Sequence, residues 1–258
     1  MDDGPLHATS LAAVITLGQI DSTNSEAMRR IASGEMGPLW IRAEAQSRGR
    51  GRSGRSWTSE PGNLYATLLF APGCARSEVH QLSLVMGVAV HDAICAMAGD
   101  TITGLRLKWP NDVLIGSAKA VGILAESTVR QGGELLAVVG VGINLAHAPA
   151  DAGRGTTCLA EHGVSADPAT ALGQLDRAMS RWLGTWDRGH GFAAIRGAWL
   201  DRAGSIGEML AINASEGRVE GRFAGLDADG SLLLTDAGGS ERRFLFGDVS
   251  VVAGAART

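Results

Sequence analysis

The chain has 258 residues, of which 45% are hydrophobic and 19% are charged, a composition typical of a soluble protein with a substantial core. The formal net charge of −4 argues against a general polyanion-binding protein. Three widely spaced cysteines (Cys74, Cys95 and Cys158) predict neither a disulfide framework nor a zinc site, which fits a reducing cytoplasm. Residues 1–5 lack the features of a signal peptide, and polar residues interrupt the longest apolar run, at 82–98, so no membrane span is predicted.

The chain begins with a predicted strand at 12–20, followed by a helix. Thr23 and Glu26 have the spacing of a capping box at the start of this helix. The consecutive polar residues Ser22, Thr23 and Asn24 have two interpretations: they cap the helix, or they bind the polar group of a ligand beside exposed backbone N–H groups. The sequence pattern alone leaves both interpretations open.

An arginine- and glycine-rich segment connects predicted strands at 39–44 and 63–70. Residues 48–55 contain four arginines and three glycines. Glycines let backbone N–H groups turn toward one ligand, and guanidinium groups bind carboxylates and phosphates. The segment therefore predicts an anion-binding lid. The alternative is a flexible RNA-binding loop, which the short, internal position of the segment disfavours.

The middle of the chain predicts one long helix and four strands. Apolar residues recur at helical spacing over 77–98, which indicates a core helix. Alternating apolar and polar residues at 105–115 predict two strands joined by a Pro-Asn-Asp turn, and residues 119–126 predict another strand. Residues 135–145 predict a buried strand whose Gly-x-Gly lacks the third glycine of a dinucleotide-binding motif.

Polar residues are concentrated on and near the predicted hairpin. Asn111 and Asp112 carry oxygens that suit Mg²⁺ or an amine, which makes Asp112 a candidate metal ligand. Lys119 precedes Gly122, where a ligand could approach the backbone closely. Asn144 lies inside an apolar run and is interpreted as a ligand contact in preference to a structural hydrogen-bonding residue.

The last third of the chain changes in character at residue 205. Residues 146–166 predict a loop, and helices follow at 168–186 and at about 191–203. After residue 205, short alternating segments separated by glycine turns predict a small SH3-like β-barrel domain. Its strands are expected at 208–213, 217–226, 231–236 and 241–252.

Four blocks in this order resemble the catalytic core of bacterial biotin protein ligases. They are Asp-Ser-Thr-Asn at 21–24, the arginine loop from Gln46 to Trp57, Lys-Trp-Pro-Asn-Asp at 108–112 with Lys-x-x-Gly-Ile-Leu at 119–124, and Gly-Ile-Asn at 142–144. Gly-Asp-Val at 247–249 resembles the end of that family's C-terminal domain. Arg48 departs from the pattern, because the family commonly has a small residue there.

The resemblance implies an α+β fold, in which helices pack on a mixed sheet. A catalytic domain at 1–204 would precede the β domain at 205–258. It also implies an ATP-dependent ligase that forms biotinyl-5′-AMP and transfers biotin to a lysine of a biotin carboxyl carrier domain, from acetyl-CoA carboxylase or a related enzyme. Biotin and MgATP would be the substrates. DNA and membranes are not expected partners, whereas a sheet edge could serve a homodimer or the docking of the carrier domain.

The same resemblance assigns roles to individual residues. Biotin would contact Ser22, Thr23, Asn24, Gln46, Arg50, Gly51, Arg52, Lys119 and Gly122. ATP or the adenylate would contact Arg52, Arg55, Trp57, Asn111 and Asn144. The catalytic residues would be Arg50, Arg52, Asp112 and Lys119. Asp112 would also lie on the metal side and would orient or deprotonate the acceptor lysine.

Two alternatives remain open at this point. A lipoate or octanoate protein ligase or transferase has a similar catalytic domain, although the Ser-Thr-Asn block and the arginine loop favour the ureido ring of biotin. A non-catalytic biotin sensor or RNA-binding protein would keep the pocket, but it would not need Asp112 together with Lys119.

Overall fold

The computed structural model describes residues 12–149, 155–214 and 217–252. The N-terminal segment at 1–11, part of the predicted loop at 146–166, residue 216 of a predicted turn and the end of the predicted β domain at 253–258 lie outside the described residues.

A seven-stranded sheet forms the larger layer of the molecule. Its strands follow the order β1-β2-β3-β7-β6-β5-β4. Only β1 and β2 pair in parallel and the other neighbours are antiparallel, so the sheet is mixed. The strands are β1 (Ala13–Ile20), β2 (Leu39–Gln46), β3 (Leu64–Phe70), β4 (Leu105–Lys108), β5 (Asp112–Ile115), β6 (Ala118–Val129) and β7 (Leu135–Ile143).

Helices cover both faces of this sheet. One face carries α2 (Gln81–Ala98), α3 (Pro168–Trp186) and α4 (Phe192–Leu200), whose buried side chains belong to the main apolar core. The other face carries α1 (Thr23–Ala32) over a second apolar cluster. The central strand β3 is buried at every residue because it lies between the two layers. Among the described helices, α2 alone is long and apolar enough to span a membrane by length and composition, and 67% of its apolar window is buried in the core.

The start of α1 differs from the predicted capping box. The N-cap residue is Ser22, and no side chain caps the helix. Glu26 forms ion pairs with Arg29 and Arg30 instead of reaching back to the helix start. The hydroxyl of Thr23 lies toward the sheet, where it accepts a hydrogen bond from Thr67 Oγ1 at 2.8 Å. The polar residues at 22–24 are therefore directed into the fold, and the capping-box prediction is wrong.

A second, five-stranded antiparallel sheet follows α4. Its order is β11-β10-β9-β8-β12. The predicted strand at 241–252 is in fact two strands, because the chain leaves the sheet at 245–247 and returns on the opposite edge. These strands are β8 (Met209–Ala214), β9 (Gly217–Leu226), β10 (Leu232–Thr235), β11 (Glu241–Phe244) and β12 (Asp248–Val251).

The α+β class with a separate C-terminal β unit is confirmed. Within the described residues the outer strands β11 and β12 do not pair, so the sheet is open and no closed barrel is seen. Contacts with the larger sheet hold the β unit in place. Arg106 Nη1 lies 2.8 Å from Glu208 Oε1, and Trp109 Nε1 donates to the Gly230 carbonyl at 3.0 Å. These contacts bring the start of β12 to one end of the seven-stranded sheet.

Candidate active site

A cavity of about 310 Å³ lies where β6 and β7, the start of α1, the arginine loop and the start of β12 meet. All the predicted site residues except Asn144 line it. They are Ser22, Thr23, Asn24, Gln46, Arg50, Gly51, Arg52, Arg55, Trp57, Asn111, Asp112, Lys119 and Gly122. The sequence blocks are far apart in the chain, and the mixed sheet brings them to one surface.

One end of the cavity is a network of neutral polar groups. The backbone N–H of Thr23 donates to Gln46 Oε1 at 2.8 Å, and Gln46 Nε2 donates to Ser59 Oγ at 2.8 Å. Asn24 Oδ1 accepts from Thr67 Oγ1 at 2.7 Å. Ser22, Thr23 and Asn24 are all buried. Because these side chains are held by neighbours, they present fixed donors and acceptors that suit a neutral polar ring.

The opposite end of the cavity contains a buried carboxylate between two ammonium groups. Asp112 Oδ1 lies 2.6 Å from Lys119 Nζ, and Asp112 Oδ2 lies 2.9 Å from Lys108 Nζ. Burial alone would raise the pKa of Asp112, but the charges of Lys119 and Lys108 hold it below its usual value. One carboxylate with two ammonium groups leaves a net positive charge here, which favours an anionic ligand.

The two lysines of this group are the whole lysine content of the chain. Of its 23 lysines and arginines, only Lys108 and Lys119 are lysines. Both bind the same carboxylate, Asp112.

The arginine loop crosses the cavity and is fixed by different partners at successive arginines. Arg50 Nη2 lies 2.7 Å from Glu126 Oε2. Arg52 donates to Asn111 Oδ1 and to the Gly247 carbonyl, both at 3.2 Å. Burial is the main cause that lowers the pKa of Arg52 below its ordinary value. The loop therefore contacts both the part of the chain that forms the seven-stranded sheet and the β unit.

Trp57 ends the loop and lies flat on a glycine surface. A β-carbon on Gly122 would be 2.9 Å from the Trp57 ring, and one on Gly142 would be 2.5 Å from Nε1. Lys119 Nζ lies 5.2 Å from the ring centroid, within cation–π range. Nε1 is buried and has no hydrogen-bond partner among the described residues. The indole thus forms an aromatic wall beside the cationic end of the cavity.

Two family models match the chain. Residues 17–144 match the biotin/lipoate A/B protein ligase family, and residues 205–252 match the biotin protein ligase C terminal domain. A biotin–[acetyl-CoA-carboxylase] ligase of Paracoccus denitrificans is 39% identical, over 87% of this chain and 95% of the relative. The chain belongs to the biotin protein ligase family.

Other members of the family agree in sequence and in fold. The bifunctional ligase/repressor BirA of Escherichia coli strain K12 is 31% identical over 88% of this chain and 70% of its own length. A biotin protein ligase from Aquifex aeolicus, solved in complex with biotin and ATP, superimposes with a TM-score of 0.78 at 28% identity. That alignment covers 94% of this chain and 99% of the solved chain.

Asn144 is not brought to the lining of the biotin protein ligase cavity. It is buried under the end of β7, where its Nδ2 donates to the Thr157 carbonyl at 3.0 Å and its backbone N–H donates to Ala120 at 2.9 Å. Its Oδ1 is buried without a hydrogen-bond partner among the described residues. The contacts seen here tie β7 to the 155–159 segment, so the expected contact with ATP stays a prediction.

Four further residues belong to the site although their sequence pattern did not single them out as site residues. Glu126 accepts from both Asn24 and Arg50. Gly247, Asp248 and Val249 of the β unit each bind a cation of the site: Arg52, Arg55 and Lys108, respectively. The only sequence signal for these three was the Gly-Asp-Val block, which indicated a domain and not a site.

The donor set does not fit a resident metal ion. Both oxygens of Asp112 already bind lysine ammonium groups. The residues described in the structure contain no group of three or more His, Cys, Asp or Glu side chains that could hold a metal. The expected Mg²⁺ role of Asp112 stays a prediction without a supporting contact.

Proposed function

We propose that the chain is an ATP-dependent biotin protein ligase that forms biotinyl-5′-AMP and transfers biotin to a lysine of a biotin carboxyl carrier domain. One observation carries the proposal: a single cavity joins a fixed network of neutral polar groups to a cluster of cations. Biotin has the matching chemistry, because its ureido ring is neutral and polar and its valeryl chain ends in a carboxylate. Membership of the family supports the same assignment.

We infer that the polar network binds the ureido end of biotin. Thr23, Asn24 and Gln46 would exchange hydrogen bonds with the ring, and the network would keep their donors and acceptors in fixed directions. The aliphatic chain would then lie along Gly122 and Gly142 beside the Trp57 ring. This orientation would bring the carboxylate near Lys119.

In the first half-reaction, two anions must come together. A biotin carboxylate oxygen attacks the α-phosphorus of ATP, the bond to the pyrophosphate oxygen breaks, and pyrophosphate leaves. Lys119 and Arg52 would offset the repulsion between carboxylate and phosphate and hold the two groups in line. We infer that any Mg²⁺ arrives on the phosphates of ATP, because no described cluster of side chains is built to hold it.

In the second half-reaction, a lysine of the carrier domain attacks the mixed anhydride. The lowered pKa of Asp112 favours an orienting role over a deprotonating one, because a carboxylate that stays ionised attracts an ammonium group but is a weak base. The arginine loop would cover the adenylate and exclude water, which otherwise hydrolyses it.

We place the carrier domain at the outer edge of β6. Strand β5 pairs with β6 only as far as Gly122, and the described residues from Leu124 to Val129 have no strand partner on that side. An open edge can accept a strand from another protein, so it suits the carrier domain or a second copy of the chain.

The acidic net charge argues against DNA as a partner, and three free cysteines fit a cytoplasmic enzyme.

Biotin-dependent ATP–pyrophosphate exchange tests the proposal on the purified chain. Exchange with biotin, and none with lipoate or octanoate, is the expected result. Exchange with lipoate or octanoate but not with biotin would instead identify a lipoate or octanoate protein ligase. Biotin binding without exchange, and without label transfer to a biotin carboxyl carrier domain, would instead identify a non-catalytic biotin sensor.

A further inference from the structure

Lys108 links the two parts of the molecule and has no role in the steps described above. It is the last residue of β4, and its side chain is 16% exposed. Its Nζ donates to the Val249 carbonyl of β12 at 2.9 Å, and it lies at the same distance from Asp112 Oδ2. Lys108 and Asp112 face each other across the hairpin as paired residues of β4 and β5. The ammonium group is therefore fixed from both sides.

The two lysines on Asp112 are not equivalent. Lys119 lies beside Trp57 in the cavity, and among the described residues its ammonium group binds only Asp112, whereas Lys108 is also held by the β unit. If Lys119 turns to the biotin carboxylate, as the proposed function requires, Asp112 loses the ion pair at Oδ1. A buried carboxylate that loses all its cationic partners takes up a proton. Lys108 is the ion-pair partner that stays, and the charge of Arg52 also acts on Asp112.

We propose that Lys108 is a positioning residue for the transfer half-reaction. It keeps Asp112 ionised and oriented after Lys119 moves to the ligand, so that Oδ1 becomes available to the acceptor ammonium group. The inference rests on the proposed function, and it adds a division of labour within the Lys108–Asp112–Lys119 group. Lys119 binds the ligand, and Lys108 keeps Asp112 ionised and in position.

The transfer step balances as follows. The acceptor ammonium group, oriented by Asp112, loses one proton to solvent, and its nitrogen forms a bond to the biotinyl carbonyl carbon. The bond from that carbon to the phosphate oxygen breaks, and AMP leaves with the electron pair. The nitrogen then loses a second proton to solvent, which leaves the amide. Asp112 remains a carboxylate throughout.

The test separates the two half-reactions in Lys108→Met. Adenylation is measured by biotin-dependent ATP–pyrophosphate exchange. Transfer is measured in single turnovers from synthetic biotinyl-5′-AMP to a purified biotin carboxyl carrier domain. Loss of a hydrogen bond to a charged group predicts transfer about 10- to 100-fold slower. Exchange, which keeps Lys119 and Arg52, should slow far less than transfer. Lys108→Arg retains the charge and should restore most of the transfer rate.

The pH dependence supplies a readout that a purely structural role would not change. Removal of the Lys108 charge lets the pKa of Asp112 rise, so the carboxylate becomes protonated at a higher pH. The fall in transfer rate at low pH, the acid limb of the pH profile, should therefore begin at a higher pH in Lys108→Met. In Lys108→Arg it should lie at the same pH as in the unaltered chain. An unshifted limb would overturn the proposal.

Arg106→Met is the matched control. Arg106 lies on the same strand and also binds the β unit, through Glu208 at 2.8 Å, but it does not contact Asp112. Its variant should leave both half-reactions unchanged. If Arg106→Met slows transfer as much as Lys108→Met, the effect belongs to domain docking and the proposal fails. Equal slowing of exchange and transfer in Lys108→Met would also overturn it.

Folding is checked first by thermal unfolding and by biotin binding. If Lys108→Met does not fold, Lys108→Gln replaces it, because glutamine keeps a hydrogen-bond donor without the charge. Absence of exchange in the unaltered chain would contradict the proposed function itself, and that result is distinct from a selective defect in transfer.

Discussion

The indole of Trp57 lies so close to Gly142 that a β-carbon on this glycine would be 2.5 Å from Nε1. The same ring contacts Gly122 on the neighbouring strand, so it packs against two glycines on adjacent strands. The position of the aromatic wall therefore depends on the absence of side chains at these two positions.

Gly142→Ala should displace Trp57 and weaken biotin binding. Overpacking of this kind costs about 1–3 kcal/mol, so we expect a rise in the Kd for biotin of about 5- to 150-fold. Isothermal titration calorimetry with biotin is the measurement. Gly184→Ala, at an exposed position of α3 with open space around it, is the control and should leave the Kd unchanged. An unchanged Kd in Gly142→Ala would show that the Trp57 wall does not contact biotin.

Arg52→Gly should release the reactive adenylate. The substitution removes the contacts with Asn111 and Gly247 that hold the loop over the cavity. We expect biotinyl-5′-AMP in the supernatant and increased biotin labelling of lysines on a bystander protein such as serum albumin, measured by streptavidin blotting. Arg48→Gly is the control, because Arg48 is an exposed arginine of the same loop. Equal bystander labelling by the two variants would refute the lid role of Arg52.

Asp248→Asn should loosen the loop only slightly. Arg55 Nη2 lies 2.5 Å from Asp248 Oδ1, but the two side chains are 40% and 29% exposed, so solvent screens the pair. Such pairs contribute about 1 kcal/mol or less, which predicts at most about a fivefold fall in exchange rate. The difference from the unaltered chain should shrink at high salt. Glu220→Gln, which removes an exposed ion pair of β9 with Arg218, should have no effect. A loss far beyond fivefold would mean that Asp248 touches the substrate.

Asp92 should contribute stability above pH 4 and lose it in acid. It links α2 to Trp182 and Arg181 of α3 and to Arg202 after α4. Burial raises its pKa, but bonds with His91, Trp182 and Arg202 hold the pKa well below its usual value. A carboxyl whose pKa is lowered by folding stabilises the fold at pH values above its pKa in the unfolded chain. Asp92→Asn should therefore lower the free energy of unfolding by about 1–3 kcal/mol at pH 7.

Urea unfolding at several pH values measures this contribution. The gap between the unaltered chain and Asp92→Asn should narrow as the pH falls below about 4, where the unfolded carboxyl takes up its proton. The exposed Asp201→Asn is the control and should change the free energy of unfolding little at any pH. A gap that does not change with pH would assign the effect to packing instead of charge.

Local pattern predicted most of the elements, and pattern together with the family resemblance named 13 of the 24 residues that line the cavity. The arginine loop, the Lys-Trp-Pro-Asn-Asp hairpin and the glycine at 122 could be placed because residue type and spacing limit what each can do. The capping-box prediction at Thr23 was wrong because a residue distant in sequence binds the Thr23 side chain, and local spacing carries no information about such partners. Thr67, distant in sequence, binds the hydroxyl that the capping box needed.

Long-range contacts could not be predicted from the chain. The carbonyls of Gly247 and Val249 bind Arg52 and Lys108, and a backbone carbonyl carries no sequence signature. Asn144 shows the opposite case: its polar type suggested a ligand contact, which stays a prediction, and its Nδ2 makes a structural hydrogen bond to the Thr157 carbonyl that the sequence did not indicate. Pattern identifies which side chains are unusual, whereas tertiary pairing decides whether their polar atoms are available.

The confinement of both lysines to Asp112 has a consequence for the chemistry of the outer surface. Acyl adenylates modify amines and leave guanidinium groups intact at neutral pH, and the exterior cations of this chain are arginines. Apart from the amino-terminal amine, a mixed anhydride that escapes the pocket meets no nucleophilic amine in this sequence. An amine-directed reagent would likewise react only at the amino-terminal amine and in the pocket, so protection of Lys108 and Lys119, resolved from the amino terminus by peptide mass mapping, gives a direct measure of site occupancy.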